Sequence, residues 1–224
     1  MSTPMTPEAR EQARYHMIEQ QIRPWNVLDE AVLATLSRVH REDFVPPAQR
    51  ELALMDCELP LDDGQIMLSP KVQARLVHDT VTALVPTARR ILLIGAGTGY
   101  MVALLADLGC EVLATEQSPA LLKQAEKNLR GSRVRLQAGS AIPSEGNGFD
   151  AVLLAGSLPS IPDALWATLH PNGLIVGIVG RVADPLMVAS RLRRVDGRVR
   201  SEPLFETWAP ALLGLVAEPR EFVF

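Results

Sequence analysis

The 224-residue chain has little of what several protein classes require. Its two cysteines, Cys57 and Cys110, are too few for a disulfide framework and have no metal-ligand spacing, so both read as reduced, buried thiols. No apolar run approaches the about 18 residues that a membrane span needs. The N-terminus has neither a basic start nor an apolar stretch, which predicts a cytoplasmic protein without an export signal. Basic runs are absent apart from Arg191–Arg194 and Arg198–Arg200, where charges alternate with apolar residues as on the solvated face of a hairpin. With a formal charge of −4, this argues against nucleic acid as a partner. The four histidines form no recognisable catalytic pair: His16 and His78 fall on helical patterns, His40 at a helix end and His170 beside a turn. Asp62 and Asp63 stand without further ligands and read as a solvated turn, so no metal is expected. Neither an internal repeat nor a low-complexity segment occurs.

What is present is an ordinary globular composition, 47% apolar, organised around residues 91–100. Ile91, Leu92, Leu93 and Ile94 predict a buried parallel strand, and an apolar helical pattern from Met101 to Leu108 follows it. Between them, Gly95, Gly97 and Gly99 alternate with Ala96 and Thr98. Without a Cβ, Gly95 and Gly97 permit unusual backbone angles and let a ligand lie against the main chain, while the helix N-terminus offers free N–H groups. A dinucleotide fingerprint places its third glycine where this chain has Tyr100. The Gly-x-Gly-x-Gly spacing instead resembles the first motif of S-adenosylmethionine-dependent methyltransferases. A second strand, 111–115, ends at Glu116, about twenty residues after the first glycine, where a carboxylate can accept both hydroxyls of a ribose.

The rest of the chain alternates helices and strands. Thr6 and Pro7 open an amphipathic helix to Ile22, stopped at Arg23-Pro24-Trp25, and a second helix spans 29–40. Residues 55–70 show no clean period and predict a functional loop, after which Ser69-Pro70 opens a helix to about Val85. Further strands are expected at 133–137, 151–155 and 174–179, with helices at 118–129 and 162–169. Asp196-Gly197 marks a hairpin, and 211–217 reads as a last strand completing the sheet. This pattern predicts an α/β doubly wound sheet whose ligands gather at the carboxyl ends of its strands.

Three stretches together resemble the protein-L-isoaspartate (D-aspartate) O-methyltransferase family. Residues 17–23, 29–33 and 41–46 are similar to its leading helical extension. Asp56, Leu59-Pro60 and Gly64-Gln65 are similar to its substrate loop, and Phe149–Val152, Ile161-Pro162 and Leu169–Gly173 to its core. The resemblance implies a Rossmann-like methyltransferase sheet over 86–224, preceded by a helical extension and substrate loop over 1–85. It also implies a carboxyl O-methyltransferase that uses S-adenosylmethionine, releases S-adenosylhomocysteine and acts on isoaspartyl peptides or proteins, or on a small carboxylate. The cofactor would lie against Gly95, Ala96, Gly97, Thr98 and Gly99, with Glu116, Gln117 and Ser140 beside it. Ser69 and Asp56 would serve the acceptor.

This sequence departs from the family pattern at four places. Leu93 stands where the cofactor strand carries an acid, which would remove a charge from a polar site. Ser140 replaces an acid, Leu54 replaces an aromatic residue, and an ungapped match puts Leu68 at the position of the catalytic serine, with Ser69 one residue late. A carboxylate acceptor is already deprotonated at neutral pH, so the chemistry needs positioning and exclusion of water rather than a base. The alternatives are a paralogue that keeps the fold without isoaspartyl methylation, and a methyltransferase for another small molecule. A nicotinamide-dependent oxidoreductase is disfavoured by Tyr100 and by the absence of a Tyr-x-x-x-Lys pair.

Overall fold

The computed structural model describes residues 5–85, 89–139, 142 and 148–215. Helix α1, Pro7–His16, begins where the Thr6 hydroxyl accepts the Ala9 N–H at 3.2 Å and Pro7 supplies the first helical residue. The single helix expected to Ile22 widens after His16 into a π segment, Met17–Ile22. The wider coil brings positions five apart into line, so Met17 and Ile22 both turn inward. Asn26, in the left-handed region at φ 62°, ends the run. Helix α2, Glu30–Arg38, is capped by the Asp29 carboxylate, which accepts the Val32 N–H at 3.0 Å.

Residues 55–70, read from the sequence as a loop, contain a small antiparallel hairpin. Strands β1, Leu59–Pro60, and β2, Ile66–Met67, are joined by a turn in which Asp63 and Gly64 have φ of 56° and 67°. Helix α3, Pro70–Val81, stops four residues short of the expected Val85. Then come β3, Arg90–Ile94; α4, Tyr100–Asp107; β4, Glu111–Glu116; α5, Pro119–Asn128; and β5, Val134–Ala138. Strand β6, Phe149–Leu158, helix α6, Asp163–Ala167, and strands β7, Leu169–Val179, β8, Met187–Val195, and β9, Arg198–Thr207, complete the described elements.

The main sheet has the order β5-β4-β3-β6-β7-β8-β9, parallel from β5 to β7 and antiparallel across β8 and β9. Chain order reverses on either side of β3, so the topological switch point lies at its carboxyl end, where open α/β sheets bind ligands. Between β8 and β9, Asp196 and Gly197 both take positive φ, 51° and 74°, as a tight hairpin turn demands. Among the described residues that hairpin, and not 211–215, completes the sheet; the rest of the expected strand 211–217 lies outside them. Within the described part of the tail, Ala211 forms an isolated parallel bridge to Ser157, because Ala209–Leu212 crosses the end of β6 instead of running along an edge.

Strand alternation divides the core. Ile91 and Leu93 pack with Leu76 of α3, Leu104 of α4 and the N-terminal segment, whereas Leu92 and Ile94 pack with Leu165 and Trp166 of α6. Within the extension, charge as well as apolar burial holds α1 against the segment around Glu42. The ion pair between Arg14 and Glu42 is 8% and 2% exposed. Cys110 is buried and Cys57 only half-buried, and both are free thiols.

Breaking a buried ion pair from one side leaves a stranded charge, at a cost of about 3–5 kcal/mol. Glu42→Leu is therefore expected to lower unfolding stability by that amount in urea titration, and adding Arg14→Met to restore most of it; equal loss in both variants would show that the pair does not hold α1 against that segment. Burial also pushes the Cys110 thiol from its ordinary 9.0 up to about 11. Because the folded value is the higher, this contribution is intact below pH 9 and disappears as pH rises toward 11. Wild-type stability should accordingly fall more steeply over that interval than that of Cys110→Ala, and parallel slopes would contradict the assignment.

Candidate functional site

The turn after β3 is built from left-handed glycines. Gly95, Gly97 and Gly99 have φ of 87°, 56° and 95°, a region that side chains disfavour. The Gly95 and Ala96 N–H groups both donate to the Thr115 carbonyl at 2.9 Å, fastening the turn to the end of β4. Beside them stands Glu116, 7% exposed. Its Oε2 accepts the Gly97 N–H at 2.6 Å and its Oε1 the Ser118 N–H at 2.9 Å. A carboxylate has about four lone-pair positions, so each oxygen retains capacity for a ligand hydroxyl.

Gly95, Gly97, Glu116 and Gln117 line one crevice together with Gln65, Gly139 and Leu61. Two segments cover it. From one side comes the β1–β2 hairpin, whose Asp63 carboxylate accepts a hydrogen bond from the Ser118 hydroxyl, the same hydroxyl that caps α5 at the Leu121 N–H. From the other comes the tail. Leu212 N donates to the Ser157 carbonyl at 3.0 Å and Ser157 N to the Pro210 carbonyl at 2.8 Å. The Leu212 side chain thereby rests against the turn, with Cδ2 2.8 Å from where a Cβ on Gly95 would stand.

The remaining expected residues are distributed differently. Ala96 and Thr98 line a second, smaller cavity of about 40 Å³, on the other side of the turn. Gly99 serves packing: a Cβ there would meet Leu129 Cδ1 at 2.9 Å. Leu93 is fully buried among the helices and lines neither cavity, so its lack of charge takes nothing from the crevice wall, contrary to the expectation of a lost polar contact. Ser140 lies outside the described residues. The Asp56 carboxylate pairs with Lys71 Nζ at 2.6 Å, itself 4.5 Å from the Trp25 ring centroid; it ties the loop to α3 and lines neither cavity. Ser69 precedes α3, makes no side-chain cap bond and lines neither cavity, whereas Leu68 lines the smaller one.

Beneath the hairpin lies a group that sequence reasoning passed over. Arg41 is fully buried and donates to the Ala53 carbonyl, to the Leu68 carbonyl at 2.8 Å and to Gln73 Oε1 at 3.2 Å. Burial pushes its pKa down to about 10, which leaves it charged at neutral pH. The same burial raises the Tyr100 phenol above its ordinary value, with Arg41 opposing the shift. Among the described residues no group of three or more His, Cys, Asp or Glu could hold a metal ion, and no helix is long and apolar enough to cross a membrane.

Comparison with known proteins follows the same outline. The family model for protein-L-isoaspartate(D-aspartate) O-methyltransferase matches residues 12–207. A protein-L-isoaspartate O-methyltransferase of Gloeobacter violaceus is 34% identical over 195 residues, covering 84% of this chain and 93% of its own. One from Methylorubrum extorquens is 38% identical over 175 residues, covering 76% and 75%. The fold is shared with a Plasmodium falciparum enzyme of this kind solved with S-adenosyl-L-homocysteine, at a TM-score of 0.73 and 17% identity, covering 91% and 97% of the two chains.

The contact between the turn and the tail can be measured. Gly95→Ala adds a Cβ in a left-handed conformation and against Leu212, and should cost about 1–3 kcal/mol of unfolding stability. Combined with Leu212→Ala, the loss should fall short of the sum of the single losses by at least about 0.5 kcal/mol; strict additivity would show that the two residues do not touch.

Proposed function

The chain belongs to the protein-L-isoaspartate(D-aspartate) O-methyltransferase family, and on that premise we propose that it transfers a methyl group from S-adenosylmethionine to the carboxylate of isoaspartyl residues in damaged peptides and proteins. The observation that carries the reading is Glu116, bonded to the bare backbone at Gly97 and still able to accept two ribose hydroxyls. When bound, the sulfonium supplies an activated methyl group with a neutral thioether as the leaving group. What the chain supplies is position. Glu116 would hold the ribose, the turn at Gly95–Gly97 would let the methionyl part approach the main chain, and Gln117 and Gly139 would border the base, with Ser140 following.

The acceptor carboxylate is ionised at neutral pH, so no protein base has to take a proton. The hairpin and the Leu212 segment keep water from the reacting atoms, and in-line approach needs the acceptor oxygen about 3 Å from the methyl carbon. Labour is divided along the chain: residues 86–224 bring the glycine turn and Glu116 to the cofactor, and residues 1–85 bring the hairpin, which lines both spaces, and α3, which lines the smaller one. Two free thiols fit a reducing cytoplasm, which is part of the same reading, as is the absence of nucleic acid and membrane from its partners. Leu68 in the wall of the small cavity favours a second reading, in which the acceptor is a different carboxylate.

Titration calorimetry with S-adenosylhomocysteine should give micromolar affinity, weakened about 10- to 100-fold by Glu116→Ala. An isoaspartyl peptide should gain a base-labile methyl ester that its aspartyl twin does not. Absence of cofactor heat would overturn the reading; tight cofactor binding with no ester on the peptide would select the second one.

A further inference from the structure

Helix α3 turns one polar side chain into the wall of the small cavity between the hairpin and the glycine turn. Gln73 is 5% exposed and shares that wall with Leu68, Ala96, Gly97 and Met101. Chemistry decides which way its amide faces. Arg41 Nε stands 3.2 Å from Oε1, and a guanidinium can only donate, so the oxygen faces Arg41 and the NH2 group faces away. That nitrogen makes no hydrogen bond among the described residues, yet it is not one of the sealed polar atoms that lack a partner. It is left as a donor at the cavity wall.

The charge behind it points the same way. The three hydrogen bonds of Arg41 go to the Gln73 amide and to two carbonyls, none to a carboxylate, while the adjacent Glu42 is already paired with Arg14. A buried cation with no carboxylate hydrogen-bonded to it, and only the neighbouring Glu42 carboxylate, shared with Arg14, to offset its charge, therefore lies one side chain away from the cavity, where low dielectric strengthens its pull on an anion. At about 40 Å³ the cavity exceeds the volume of a single water and has room for a carboxylate. Leu61, Ile66, Gly95, Gly97 and Ala155 line both it and the crevice, so the two spaces meet across the turn. Leu68 brings no hydroxyl to it.

We propose that Gln73 binds the methyl acceptor, its Nε2–H donating to the acceptor carboxylate in this cavity, and that Arg41 is the positioning residue that holds the amide in that orientation. The side chain on α3 thus does what the family resemblance assigns to a hydroxyl at position 68. This rests on the reading that the crevice holds S-adenosylmethionine and that the acceptor is a carboxylate, and the experiment separates the two. Wild type, Gln73→Met and Gln73→Glu are compared by calorimetry with S-adenosylhomocysteine and by methylation kinetics on an isoaspartyl peptide.

Gln73→Met removes the donor at nearly constant volume. It should leave cofactor affinity within about twofold and lower kcat/KM for the peptide about 10- to 100-fold, chiefly through KM. Gln73→Glu, which sets a carboxylate against the acceptor, should lose more. Should the methionine variant melt early, Gln73→Asn, whose amide is drawn back by one carbon, reports the same KM effect. If wild type methylates the peptide and the Gln73 variants do so within twofold of it, Gln73 has no acceptor role and the wider reading stands. If wild type binds no cofactor, the reading fails and this acceptor site fails with it.

Discussion

The carboxylate of Glu116 is the point at which the glycine turn, the start of α5 and, through Ser118, the β1–β2 hairpin are drawn together. Through the Gly97 N–H it fixes the turn after β3, through the Ser118 N–H it fixes the start of α5, and Ser118 in turn bonds the Asp63 carboxylate at the tip of the β1–β2 hairpin. Hydrogen bonds to a charged group contribute about 1.5–3 kcal/mol each, so this one anion is worth as much as a substantial fraction of a domain's net stability. It also sets what the site can do. The negative charge is offset by backbone dipoles rather than by a cation, and the unused lone pairs face the crevice as acceptors for neutral hydroxyls.

A second buried charge organises the other side of the turn. Arg41, itself part of the N-terminal extension, ties the loop at Ala53, the segment at Leu68 and α3 into one unit by donating to each. The two charges lie on opposite sides of the glycine turn, an anion toward the crevice and a cation behind the small cavity. That polarity suits a reaction in which a sugar is held by acceptors and a carboxylate by donors, and it needs no titrating side chain between them.

Some of this was legible in the sequence because it is local. The Gly95–Gly99 spacing, the branched strand before it and the acid at the end of the next strand lie within one β-α-β unit, and each carries a steric or hydrogen-bonding requirement of its own. Leu212 was not legible: an apolar run reads as a strand whether it joins a sheet or crosses the end of one, and its partner Gly95 is remote in the chain. Gln73 was hidden for a similar reason. A lone polar residue on a helix looks solvated until its partner Arg41, 32 positions earlier, is seen buried beside it. Over six residues the π segment at Met17–Ile22 gives no pattern distinct from an α-helix. Ser69 and Asp56 drew attention by residue type and by resemblance, whereas one-residue register decides that Leu68 and not Ser69 reaches the small cavity.

The central claim is that Glu116 and the bare turn beside it hold an adenosyl group. A crystal grown with S-adenosylhomocysteine tests it most directly. The account predicts the ribose in the crevice with both hydroxyls at hydrogen-bond distance from the Glu116 carboxylate while the Gly97 and Ser118 N–H bonds persist; a ligand bound elsewhere, or a Glu116 that keeps only its backbone partners, would contradict it.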